Sequence, residues 1–250
     1  MHRFMQATME ILDRQEYVSW KLPKNWHVIL TTNPDNGDYN VTSLDVAQKT
    51  RFVSVELKYD VNVWAKWAET ANIDGRCINF MLMHPELVTQ RVNPRSITTF
   101  FNAISSIPKF EDDLPLIQMI GEGSVGVDFS SMFTMFINNK LDKIISPEDT
   151  LTKDEQYVLN ALTNAVGKDD DFRADISSVI ATRLINYSLV FADTKPVPSG
   201  MTQRLIKLTT DCDAFTDDLR YYIIKEIVNG NKVKFAPLMQ NKDVVKMAVK

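Results

Sequence analysis

The sequence predicts an α/β fold at the N-terminus, built on a parallel sheet, followed by a mainly α-helical remainder. Two segments near the start are predicted as strands, residues 26–32 and residues 52–57. The first contains the apolar run Val28-Ile29-Leu30, which is typical of a strand buried on both faces of a parallel sheet. From Val61 onward, apolar residues recur at helical spacing instead. The sheet is therefore expected to end before Val61.

The first predicted element is an amphipathic helix. Its inward-facing positions recur at helical spacing and are Phe4, Met5, Thr8, Met9, Ile11 and Leu12. The segment EYVSW at residues 16–20 predicts a short β-like stretch, and PDNGD at residues 34–38 predicts a turn. Residues 44–49 predict one short helix directly before the second strand.

The remainder divides into two helical regions. The first contains the patterns VNVWAKWAETA, CINFMLMHPELV and RSITTFFNAISSI, and residues 107–113 after it predict a solvated linker. Beyond the linker, helices are predicted at residues 129–145, 153–166, 172–191, 202–208, 217–228 and 241–249. Ser146 and Thr152 each precede acidic residues and predict helix starts. The predicted domains are residues 1–60, 61–108 and 109–250.

Composition narrows the class of protein. The 250 residues are 44% hydrophobic and 24% charged, which is typical of a globular protein. The net charge of −4 disfavours nucleic acid as the partner, although a local basic face stays possible. Two cysteines without ligand spacing favour a reducing compartment and no zinc site. No apolar run approaches the ~20 residues of a membrane span, so we expect a cytoplasmic protein with no membrane partner.

Polar residues at the ends of the predicted strands indicate a candidate site. Residues 26–32 lead into Asn33, and Arg51 stands directly before the second strand. In parallel sheets, site residues lie at the carboxyl ends of strands. An amide there can orient water near a phosphate, and an arginine can stabilise transition-state charge. The alternative is that Asn33 and Pro34 form a plain turn and that Arg51 is a surface residue.

Three motifs in this order resemble the AAA+ ATPases, and the β-like insert resembles the MoxR branch. Asn33 matches the sensor-one position, and the run LDVAQKTRF at residues 44–52 matches the segment that carries the arginine finger, here Arg51. Asn93-Pro94-Arg95-Ser96 matches the lid motif in which Arg95 is the second sensor. The resemblance covers residues 4–107. The segment TTNPDNGDYNVTSLD at residues 31–45 is similar to a phage-encoded branch of the family.

This resemblance implies a ring-forming ATPase that uses ATP and Mg to remodel a protein client. Asn33 would position the attacking water, Arg51 would act on the ATP of a neighbouring subunit, and Arg95 would couple nucleotide state to the lid. The implied partners are other copies in a homo-oligomeric ring, or a longer AAA+ relative.

The chain departs from the family in one respect. None of its eight glycines stands in a G-x-x-x-x-G-K-[ST] loop, and the FEDD run at residues 110–113 follows Pro108-Lys109 rather than an apolar strand. Both nucleotide-binding motifs would therefore lie upstream of Met1. In the family, the strand that carries the phosphate loop separates the two strands predicted here. Without it, each would expose unpaired backbone groups, so whether this chain is an enzyme by itself stays open.

Two alternative functions are also compatible with the sequence. The chain could be a clamp-loader-like or helicase-loader subunit in DNA replication, which DNA-stimulated activity with a steep salt dependence would indicate. It could also be a shortened, non-catalytic adaptor that binds AAA+ partners. The literal GxGxxG at residues 121–126 lacks a βαβ context and predicts a turn rather than a dinucleotide site.

Overall fold

A computed structural model describes residues 2–33, 46–89, 91–139 and 143–249. The chain divides into two compact units, residues 1–58 and residues 59–250. The part of the chain that the structure describes is mostly helical.

The first unit contains the predicted opening helix and a small hairpin. Helix α1 spans His2–Arg14, strand β1 spans Glu16–Tyr17, strand β2 spans Trp20–Lys21, and helix α2 spans Val46–Lys49. The two strands pair antiparallel, with Glu16 opposite Lys21 and Tyr17 opposite Trp20. An ion pair of 3.3 Å joins the side chains of Lys21 and Glu16 across the hairpin.

The predicted parallel sheet is wrong for the residues that the structure describes. Residues 26–32 and 53–57 lie outside any strand, and the one sheet within the described ranges is the antiparallel hairpin. Ile29 is 85% exposed and Leu57 is 91% exposed, although both were expected in a sheet. A strand forms only when a neighbour pairs with its backbone N–H and C=O groups, and within the described ranges no segment pairs with either of these two. The predicted turn at residues 34–38 lies outside the described residues.

The second unit is a stack of helices that confirms the predicted helical C-terminal region. Its first helices are α3 (Val61–Thr70), α4 (Gly75–Met83), α5 (Pro94–Ile104), α6 (Leu114–Ser124) and α7 (Val127–Asn138). The following helices are α8 (Pro147–Thr152), α9 (Glu155–Val166), α10 (Ala174–Thr194), α11 (Ser199–Asp211), α12 (Asp217–Gly230), α13 (Ala236–Gln240) and α14 (Lys242–Val249). Ser146 caps α8 and Asp154 caps α9, close to the predicted starts.

The first core of this unit is aromatic and is formed by helices α3 to α7. Phe80 lies at its centre, with ring centroids 5.2, 5.0 and 5.4 Å from those of Phe129, Phe133 and Phe136. All three contacts are edge-on, which is a favoured geometry for aromatic pairs. This cluster fixes α4 against α7.

The second core belongs mainly to helices α8 to α14, with the 21-residue helix α10 as its longest element. Helix α10 also packs on α3 and α4 of the first core, and Met83 contacts both cores. The predicted roles of residues 61–108 as a lid and of residues 109–250 as a separate region stay predictions.

The predicted solvated linker at residues 107–113 is wrong in part. Phe110 is fully buried in a short 3-10 turn, Phe110–Asp112, while its neighbours Glu111 and Asp112 are exposed. The Arg76 guanidinium carbon lies 3.5 Å from the centroid of the Phe110 ring. A single aromatic residue among charged ones gives no periodicity, so the sequence pattern could not indicate this anchor.

Candidate functional site

Asn33 is exposed and follows a segment without helix or strand. The Thr32 hydroxyl donates a hydrogen bond to the Asn33 carbonyl oxygen at 3.1 Å. Within the described ranges, no protein group hydrogen-bonds to the Asn33 side-chain amide. The amide is therefore available to a ligand or partner, but the segment does not hold it as a sheet would.

Arg51 pairs with a carboxylate that no sequence pattern indicated. Its Nε lies 2.9 Å from both carboxylate oxygens of Asp13, at the end of α1. The two side chains are 38% and 46% exposed, and exposed pairs of this kind contribute only about 0–1 kcal/mol. The contact therefore orients Arg51 at the surface of the first unit. The two residues are 38 positions apart, and no local pattern links them.

Of the three predicted site residues, only Arg95 lies in a helix, in the first turn of α5. Asn93 caps α5 by accepting from the backbone N–H of Arg95 and Ser96, both at 3.1 Å. The Ser96 hydroxyl accepts in turn from the Asn93 N–H at 3.1 Å, which completes a capping box, and Pro94 begins the helix. The Arg95 side chain is exposed and makes no ion pair within the described ranges. A fixed backbone thus presents a free guanidinium.

The structure places these residues in two different units. Asn33 and Arg51 belong to the first unit and Arg95 to the second. Each is described within its own unit, and the predicted joint site stays a prediction.

A buried polar network that the sequence pattern did not indicate joins α10 to α3 and α4. Arg183 donates from Nε to Glu69 Oε1 at 2.9 Å and from Nη1 to Asn79 Oδ1 at 3.1 Å. The Arg183 and Glu69 side chains are only 7% and 11% exposed. Gly75 makes room for the guanidinium, because a Cβ there would lie 2.8 Å from Arg183 Nη2. This network links the two cores.

A second ionic contact lies beside it. Arg76 Nη2 is 2.6 Å from Asp74 Oδ2, and the same guanidinium donates to the Ile107 and Pro108 carbonyl oxygens at 3.2 Å. Burial raises the pKa of Asp74, but hydrogen bonds from Arg76 and the charges of Arg76 and Arg183 outweigh it and lower that pKa below its ordinary 3.8. Asp74 therefore stays ionised and holds Arg76 over Phe110.

The GxGxxG stretch at residues 121–126 covers the end of α6 and the turn before α7. Gly121 lies inside α6, where an added Cβ would be 2.6 Å from Ser130 Cβ on α7. Gly126 turns the chain between the two helices with a φ of +88°. The predicted turn is wrong for residues 121–124, which belong to α6, and the chain turns only at Val125 and Gly126.

One open cleft of about 280 Å³ lies beside the N-termini of α10 and α12. Phe172, Ser177, Thr216 and Tyr222 contribute to its lining, and none of the predicted site residues does. Burial, followed by the charges of Glu226 and Asp60, raises the pKa of Tyr222. The lining is mainly apolar, and it carries no basic side chain that would favour a phosphate.

Binding of ATP and Mg stays a prediction for this chain. The phosphate-binding loop is missing from the sequence, and no group of three His, Cys, Asp or Glu side chains in the described ranges could hold a metal ion. Where the structure describes helices, none is long and apolar enough to cross a membrane.

Comparison with known proteins returned no match. No family model, no curated protein and no solved structure matches this chain. The resemblance to the MoxR-like AAA+ ATPases therefore stays a prediction from the motifs.

Proposed function

We propose that this chain supplies the sensor asparagine, the arginine finger and the second sensor of a MoxR-like AAA+ ATPase module. Such a module would form a ring and use ATP hydrolysis to remodel a protein client. Asn33, Arg51 and Arg95 are the residues assigned to these roles. The phosphate-binding half would come from another polypeptide segment, because this sequence contains no G-x-x-x-x-G-K-[ST] loop.

The observation that carries the proposal is the state of Arg95. Its backbone is fixed by the capping box of α5, while its side chain is exposed and unpaired within the described ranges. An arginine held in this way at a helix N-terminus is suited to meet an anion. Arg51 also fits, because its side chain is 38% exposed and pairs with Asp13 at the surface.

The test is the ATPase activity of the assembly captured with the endogenous, tagged protein in the presence of Mg. We expect hydrolysis, and we expect Arg51→Ala to lower the rate by ~10³-fold or more while nucleotide binding persists, as for an arginine finger acting in trans. Arg95→Ala should lower the rate as well.

Arg14→Ala is the matched control for Arg51→Ala. Arg14 is an exposed arginine of the same unit, paired with Glu10 at 3.6 Å, and it belongs to none of the three motifs. Its replacement should leave hydrolysis unchanged. Full activity in the Arg51→Ala assembly, or an assembly without ATPase activity, would contradict the proposal.

The non-catalytic adaptor is the second candidate, and the missing phosphate-binding loop favours it. The intact mass of the endogenous protein separates the two functions. A mass of 28.6 kDa with Met1 at the start supports the adaptor, which would co-purify with a longer AAA+ relative. A larger mass that includes a phosphate-binding loop supports a complete ATPase.

A further inference from the structure

Asp13 is the carboxylate that meets the side chain assigned as the arginine finger. Both of its oxygens lie 2.9 Å from Arg51 Nε, although the two residues are 38 positions apart. Asp13 stands in the last turn of α1, and Arg51 follows the end of α2. The ion pair therefore connects two helices of the first unit that are distant in the sequence.

The position of Asp13 is unfavourable for the helix that carries it. The C-terminal end of a helix bears a partial negative charge, which repels a carboxylate in the last turn. Aspartate is also a poorer helix former than alanine. The stability of α1 thus gives no reason for an aspartate at this position, whereas the charge of Arg51 does.

The neighbouring charges of α1 pair in a different way. Arg14, the next residue after Asp13, lies 3.6 Å from Glu10. This is an ordinary i, i+4 pair on the surface of a helix. Asp13 instead contacts a residue outside its own helix, so its pairing is not a by-product of helical spacing.

Burial does not fix the Arg51 side chain. The first unit contains no buried side chain among those described, and the side chain of Arg51 is 38% exposed. The backbone here is held, because the Phe52 N–H donates to the Lys49 carbonyl oxygen at 3.2 Å. An arginine side chain on a fixed backbone still has many rotamers. The Asp13 carboxylate selects among them.

We propose that Asp13 is a positioning residue for Arg51, an inference that rests on the proposed role of Arg51 as an arginine finger. The carboxylate engages Nε, which carries one of the five N–H donors of the planar guanidinium, and so restrains its plane. An arginine finger must present this group to the transferred phosphate in a defined geometry. Asp13 raises the fraction of copies that do so, and it acts through Arg51 without contacting the nucleotide.

The first test measures the restraint on Arg51 and needs no ATPase activity. In NMR spectra of the full chain, the Nε–H signal of Arg51 is assigned by its loss in Arg51→Lys. Asp13→Ala should speed the exchange of this proton with water by about five-fold, the upper limit for the effect of an exposed ion pair. Equal exchange rates in the wild type and in Asp13→Ala would overturn the inference.

Glu10→Ala is the matched control for Asp13→Ala. It removes an exposed carboxylate of the same helix and changes net charge equally, but its partner is Arg14. The Nε–H exchange of Arg51 should not change in this variant. Equal acceleration by the two variants would show a general effect of charge and would also overturn the inference.

The second test is hydrolysis by the captured assembly. Asp13→Ala should lower kcat about five-fold and leave the KM for ATP unchanged, because the lost contact orients the finger and does not bind the nucleotide. Glu10→Ala should change neither constant. Unfolding does not explain a loss of rate in Asp13→Ala, because alanine suits the last turn of α1 better than aspartate.

The outcomes separate this inference from the proposed function. An assembly without hydrolysis, or with hydrolysis insensitive to Arg51→Ala, refutes the finger role and the positioning role with it. Hydrolysis that is lost with Arg51→Ala but kept in full with Asp13→Ala refutes the positioning role alone. A higher rate with Asp13→Ala also refutes it, since the pair would then hold Arg51 away from the phosphate.

Discussion

At the scale of single residues, the most constrained side chain described is Arg183. A buried guanidinium is tolerated only when its charge is paired and its donors are satisfied. Glu69 supplies the charge, Asn79 supplies an acceptor, and Gly75 supplies the space. The sequence pattern predicted α10 but not this network, because its members are more than 100 positions apart.

Removing one partner of this buried pair should be costly. Glu69→Ala leaves Arg183 buried and uncompensated, which should lower the free energy of unfolding by about 3–5 kcal/mol. Replacing both charges, as in the double variant Glu69→Met and Arg183→Met, should cost clearly less. Denaturant unfolding of the wild type and both variants measures this. A double variant less stable than Glu69→Ala would contradict the argument.

The ionisation of Asp74 should make the free energy of unfolding depend on pH in the acid range. Its pKa is lowered in the folded chain, so its contribution to stability is complete above the unfolded value of about 3.8 and is lost as pH falls below it. We expect Asp74→Asn to be destabilising at pH 7 and to approach the wild type near pH 3. Unfolding free energies at the two pH values test this, with a smaller deficit expected at pH 3 than at pH 7. An equal deficit at both would exclude the pH argument.

At the scale of elements, apolar periodicity predicted most of the helices, but it missed α6 and α13, and the helix predicted at residues 129–145 extends past the end of α7 at Asn138. The two strands of the predicted parallel sheet were wrong for the described residues. The predicted helix at residues 217–228 agrees closely with α12, and that at residues 153–166 agrees with α9. A helix satisfies its backbone within itself, so a local pattern is sufficient to indicate it. A strand needs a distant neighbour, and residues 26–32 have the composition of a strand without that neighbour.

Two glycines of α6 should respond in opposite directions to the same substitution. Gly121→Ala places a methyl group 2.6 Å from Ser130 Cβ and 3.3 Å from the Phe100 ring, so we expect a loss of about 1–3 kcal/mol. Gly123→Ala meets no atom within 4 Å and should add about 0.5–1 kcal/mol through lower unfolded-state entropy. Thermal unfolding of the two variants is the measurement. Equal effects would mean that α6 and α7 are not packed as described.

At the scale of the whole molecule, stability lies in the second unit. The first unit contains no buried side chain among those described, whereas the second contains both cores. The candidate site follows the same division. Arg95 was selected because Asn93-Pro94-Arg95-Ser96 resembles the lid motif, which is a local signal, whereas the capping box at this position was not predicted. The partner of Arg51 and the state of Asn33 depend on tertiary structure and could not be predicted from spacing.

A fragment of residues 57–250 should therefore fold like the complete chain. It keeps Asp60, whose carboxylate caps α3 by accepting from the N–H groups of Asn62 and Val63. We expect the same unfolding midpoint as for the full chain at a concentration at which the full chain is monomeric. A fragment that is unfolded, or much less stable, would show that the first unit stabilises the helical stack.

The exposed stretch at residues 53–58 bears on the lifetime of the protein in a cell. Val53 is 95% and Leu57 is 91% exposed, and the backbone of these six residues makes no hydrogen bond within the described ranges. An apolar stretch with accessible backbone is the form of chain that proteases cleave and chaperones hold. We therefore expect degradation of this protein to begin at residues 53–58, without prior unfolding of the helical second unit.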